Sequence, residues 1–146
     1  MAFAGRVGVD ARDYGTRLVL RSMLGGMFHT LREDLAVTYG FSADYTPHLG
    51  PGRWDVSGAV DAARVEEAVV AVRRVLEELR AGHKLKAQFA ISRRAVLEQI
   101  AAQMVDAYAR LGELDFLARH HLADDFWDRV AARVAALTLD DVRALI

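Results

Sequence analysis

The stretch LGGMFHTLREDLAVTYGFSADY, residues 24–45, decides how the rest of the chain is read. Its second half alternates with period two. Tyr39, Phe41, Ala43 and Tyr45 fall on one face and Thr38, Gly40, Ser42 and Asp44 on the other, the pattern of a half-buried strand. Its first half is helical, and Gly25-Gly26 is expected to break or kink it, because two glycines cost a helix about 2 kcal/mol relative to alanine. A first helix over 13–24 and a short second one over 27–34 follow from that break. The second helix carries Arg32, seven residues before Tyr39 across a helix-to-strand junction. A guanidinium offers five N–H donors and a fixed charge, and a phenol adds one directed O–H. Together they suit a carbonyl oxygen or a developing oxyanion. The plainer alternatives are that Tyr39 is one more aromatic of the sheet core and that Gly25-Gly26 is a C-cap.

Working outward, residues 3–9 alternate loosely and read as a short edge strand, with Asp10 or Asp13 placed to cap the helix after it. Downstream, Pro47 to Gly52 holds two prolines and two glycines and reads as a loop. Residues 53–60 alternate again, so the two strands form an antiparallel hairpin. Asp61 is an N-cap for a helix to Ala81 closed by Gly82, with Val65, Ala68, Val69, Val72, Val75, Leu76 and Leu79 on its inward side, packing on the sheet. A second long helix over 85–111 places Leu85, Phe89, Val96, Ile100, Met104 and Tyr108 on one face and ends at Gly112. Helices over 115–121 and 124–136 follow, the latter with Phe126, Val130, Val134 and Leu137 inward. Thr138 to Asp141 resembles a capping box opening a final short helix. This order reads as α+β, an antiparallel sheet with helices packed on one face. The expected organisation is a single domain over 1–146, a helix pair and β-hairpin over 10–60 and a helical half over 61–146.

Composition narrows the function. The 146 residues carry a formal net charge of −1 with no long block of one sign, which argues against a nucleic-acid partner. No run of about twenty apolar residues offers a membrane span. Absence of cysteine removes disulfides, thiolate catalysis and Cys-ligated zinc. The compartment stays open between bacterial cytoplasm and periplasm.

Chemistry within the chain is sparse. Neither HExxH nor its inversion HxxEH occurs among the five histidines, so no zinc site of the peptidase type is expected here. His120 with Asp124, and His29 with Glu33, stand one turn apart, but two ligands lack the third that a catalytic metal needs. Gly25-Gly26 lacks the lysine of a phosphate loop, and Ser22, Ser42, Ser57 and Ser92 lack a nucleophile-elbow context.

The order LGG, Phe28, Leu31-Arg32-Glu33 and Thr38-Tyr39-Gly40, followed by a second strand and a long amphipathic helix, resembles the C-terminal, non-zinc domain of the pitrilysin, insulin-degrading-enzyme and mitochondrial-processing-peptidase family of zinc metallopeptidases. Similarity continues more weakly through 64–79, 89–100 and 135–145. Only His29 and Thr30 separate Phe28 from Leu31, where family members carry several more residues, a difference expected to shorten the helix by more than a turn. The resemblance implies a partial peptidase half-domain with no metal or catalytic residue of its own, which contributes Arg32 and Tyr39 to substrate binding. It also implies a zinc-bearing HxxEH domain or subunit as partner, with the zinc held there, and a peptide as substrate. An open sheet edge and exposed apolar faces would favour self-association. The alternative role is a structural or assembly subunit of the same fold without proteolysis, as in core proteins of respiratory complexes that resemble this family. An autonomous hydrolase with an unrecognised site is the third reading.

Overall fold

A computed structural model describes residues 2–7, 9–35, 38–48, 51–82 and 85–145, and the side chains of these other than 2–7, 11–12, 30–35, 38–39 and 51. Strand β1 (Ala2–Val7) leads into helix α1 (Ala11–Leu35), and strands β2 (Thr38–Thr46) and β3 (Pro51–Val60) form the hairpin. Helices α2 (Val65–Ala81), α3 (Leu85–Val105), α4 (Ala107–His120), α5 (Phe126–Ala136) and α6 (Leu139–Arg143) complete the chain. Strand β3 is central and antiparallel to both neighbours, giving the order β1-β3-β2. The α+β architecture read from the sequence is the one observed.

Helix α1 is the pivot. It lies along β2 on one side and against α3 and α5 on the other. Val19, Met23 and Phe28 are fully buried along it, in one cluster with Leu85, Phe126, Val130, Val134 and Leu137. Helix α2 contacts α1, and most of its buried residues join one cluster with Ala43 of β2. Ala68, Ala71, Val72, Val75 and Leu79 form its buried side, whereas Val65 and Val69 are exposed, so the inward stripe is narrower than periodicity suggested.

Two helix boundaries differ from expectation for physical reasons. Helix α1 runs unbroken through Gly25-Gly26 for 25 residues, so the helix pair is one helix. Met23, Leu24 and Phe28, buried on either side of the glycines, each contribute about 1.5–3 kcal/mol and outweigh their helix cost. Gly26 also has a packing role: a Cβ there would lie 2.0 Å from Gln88 Nε2 of α3. The second boundary falls at Asp106 instead of Gly112. Asp106 Oδ1 accepts from the Ala109 backbone N–H at 2.7 Å and starts α4, which then passes through Gly112 to His120. Tyr108 therefore turns outward, 88% exposed, instead of joining the α3 face.

Other local signals act as read. Asp61 accepts from Ala63 N–H and caps a 3-10 turn, Ala62–Arg64, that leads into α2, Gly82 closes α2 at φ 80°, and Thr138 and Asp141 form a reciprocal capping box at α6.

Candidate functional site

The junction of α1 and β2 is built by a chain that leaves one element and immediately returns along the other. Arg17 of α1 is 2% exposed, and its Nη1 donates to the Tyr45 hydroxyl of β2 at 3.0 Å. The other arm of the same guanidinium reaches Asp13 Oδ2 at 3.5 Å. One turn on, Arg21 pairs with Asp44 at 2.8 Å. Further along both elements the Phe28 and Phe41 rings meet, with centroids 6.0 Å apart. Three clasps thus tie the helix to the strand in matched order: 17 to 45, 21 to 44, 28 to 41.

Beneath the first clasp lies an aromatic cluster. Tyr14 packs against Tyr45, Phe116, Phe126 and Trp127 with centroids 5.5–6.5 Å apart. Burial pushes the Tyr14 phenol up to about 12, against the pull of Arg21, and burial raises Tyr45 in spite of Arg17. Both phenols therefore stay protonated at neutral pH and act as hydrogen-bonding groups rather than bases.

Past Phe41 the ladder changes. Thr38 pairs with Val60 and Phe41 with Gly58, so three residue steps on β2 face two on β3. Tyr39 and Gly40 together oppose Ala59, the geometry of a β-bulge. Gly40 has φ 134°, where a glycine is favoured. The extra residue on β2 interrupts the simple alternation read from the sequence ahead of Phe41.

Arg32 lies in the last turn of α1 and Tyr39 near the start of β2. Their side chains lie outside the described residues. Sequence reasoning passed over Arg17, Arg21 and Asp44. Two cations four residues apart, Arg17 just before and Arg21 inside the largely apolar run Leu18 to Leu24, were the available signal, since a charge beside a core-facing stripe calls for a partner.

No group of three or more His, Asp or Glu side chains able to hold a metal exists among the described residues, and no helix among them is long and apolar enough to cross a membrane.

Comparison with known proteins gives the class. Residues 2–95 match the family model described as "Peptidase M16 inactive domain", and the chain belongs to that family. Its fold is that of solved members. The peptidase M16 inactive domain from Pseudomonas fluorescens superposes with a TM-score of 0.83 at 20% identity, over 98% of this chain and 35% of that one. The periplasmic protease PqqL from Escherichia coli gives 0.74 at 13% identity, over 99% of this chain and 16% of that one. Pitrilysin gives 0.60 at 18% identity, again over 99% and 16%. The chain thus spans about a third or less of the length of these structures. No curated protein matches it at a significant level.

Proposed function

We propose that this chain is the substrate-binding, non-catalytic half of a zinc metallopeptidase, and that Arg32 and Tyr39 grip the peptide backbone opposite a partner domain or subunit that carries the HxxEH zinc. On this reading the guanidinium and the phenol would share the scissile carbonyl, and a zinc held by the partner would supply the activation of water. Neither donor moves a proton; their work is orientation and charge stabilisation in a site closed to water.

The observation that carries the reading is the matched order of the α1 and β2 clasps. From 17 to 28 the helix rises about 16 Å, and from 45 to 41 the strand runs about 13 Å. Continuing by one helical turn, about 6 Å, reaches position 32, while two strand residues, one of them taken up by the bulge, advance about 3–6 Å to position 39. The same zipper that sets Phe28 on Phe41 therefore favours 32 and 39 at nearby levels, where the two elements meet.

Mixing the chain with its zinc-bearing partner is expected to yield cleavage of an internally quenched peptide. Arg32→Ala or Tyr39→Phe should each lower turnover by about 10²–10³-fold, with fold and zinc content unchanged. Full turnover in both variants would reject the assignment. A stable complex that never gains activity would instead favour the assembly role.

A further inference from the structure

We infer that the outward side of α4 is a dimerisation surface, and that its occupant is a second copy of this chain laid parallel along the same helix. The inference is independent of Arg32 and Tyr39 and goes beyond the role proposed for them.

Helix α4 is apolar on two sides. Glu113 and Leu117 are its buried residues, and the helix lies against α3. Ala107, Leu111, Leu114 and Ala118 are exposed instead, Leu111 to 64% and Leu114 to 51%. At 3.6 residues per turn these four fall in one narrow stripe, turned away from Glu113 and Leu117. Their spacings of four, three and four residues are those of a coiled-coil seam, with small residues at both ends and two leucines between them. Tyr108, also exposed, stands on the flank of this stripe. A helix that is apolar all round belongs in an interior, so the second side calls for a cover.

Area and charge both fit a copy of the same helix. Covering Tyr108, Leu111, Leu114 and their surroundings on two copies would remove on the order of 1,000 Å² from water, the lower bound for a specific interface. Arg110 precedes the first leucine and Asp115 follows the second, the two flanking positions that carry interhelical ion pairs. In two parallel copies in register, each Arg110 faces the other copy's Asp115, and two-fold symmetry makes that contact twice. Both groups have capacity for it. Within the chain Arg110 Nη1 serves Met104 Sδ and Glu113 Oε2, and its fork carries further donors. Asp115 Oδ2 accepts from Arg119, and a carboxylate takes more than one donor. An antiparallel copy would set Arg110 against the flank of the buried Leu117, with no carboxylate to meet, so charge selects the parallel arrangement.

Sedimentation velocity of the whole chain over a wide range of concentrations tests this. A monomer–dimer equilibrium with Kd on the order of 10–100 µM is expected, because an interface of this size lies at the weak end. Leu111→Gln with Leu114→Gln should raise Kd at least about tenfold. Val70→Gln with Ile91→Gln, at exposed apolar positions on α2 and α3, should leave it within about twofold. Asp115→Lys sets like charges against Arg110 and should weaken the dimer about three- to tenfold. All these positions are exposed, and an unchanged melting temperature of each variant below Kd verifies its fold. A wild-type chain that stays monomeric at about ten times the upper expected Kd would overturn the inference, including the case in which the α4 face binds only the zinc-bearing half. Equal weakening by the α2 and α3 control, or no weakening by the leucine pair, would also overturn it. A dimer indifferent to Asp115→Lys would overturn the parallel arrangement.

Discussion

At the scale of single residues, the buried guanidinium of Arg17 shows how a charge is kept inside a small domain. Its arms are divided between a phenol and a carboxylate, and its Cζ lies 4.8 Å from the centroid of the Tyr45 ring. Such a cation is tolerated only while its donors are used. Tyr45→Phe removes one acceptor and keeps the ring, so it should cost about 1.5 kcal/mol, the lower end for a hydrogen bond to a charged group because Tyr45 is partly exposed. Urea unfolding of the two chains measures it, and an unchanged midpoint would show that water already serves Arg17. Arg32 and Tyr39 could be singled out in the sequence as a proposed pair of donors at a junction, because residue type and spacing are local facts. Arg17, Arg21 and Asp44 were not, because a partner 23 or 28 residues away is set by the path of the chain.

At the scale of elements, the paired glycines show where local propensity loses. Taken alone they argue for a break, yet α1 continues because burial before and after them is worth more than their helix cost. The two positions should respond differently to alanine. At Gly25 a Cβ meets nothing within 4 Å, so Gly25→Ala should raise stability by about 0.5–1 kcal/mol. At Gly26 the Gln88 side chain must first swing away from α1, giving up its contact with Ser92, and the gain should be smaller or absent. Equal gains in thermal denaturation would contradict the close crossing of α1 and α3. The break at Asp106 teaches the converse: a short polar side chain that can cap its own backbone ends a helix more effectively than a solvent-facing glycine.

For the molecule as a whole, pH should act in one direction. Burial, with Arg119 and two neighbouring histidines adding to it, holds the His120 imidazole below its ordinary value. The unfolded chain therefore binds that proton first, and stability should fall as pH drops below about 6.5. The Thr138 hydroxyl and then Arg133 hold the Asp141 carboxyl well below the usual carboxylate range. Its contribution is complete above about pH 4 and is lost as pH falls further through the folded value. Melting temperature against pH should thus decline in two acid steps, the first absent in His120→Gln and the second in Asp141→Asn; a flat profile between pH 7 and 5 would remove His120 from the account. What the sequence by itself determined was the order of strands and helical regions, the cap residues Asp61, Gly82 and Thr138, and the peptidase-family resemblance from which Arg32 and Tyr39 are proposed, since all of these are carried by residue type over short spans. Tertiary structure alone decided the unbroken α1, the outward turn of Tyr108, the Arg17 clasp and the bulge at Tyr39-Gly40. Each of these depends on which distant surface an element is pressed against, and burial against that surface outweighs the local preferences that a linear reading can see.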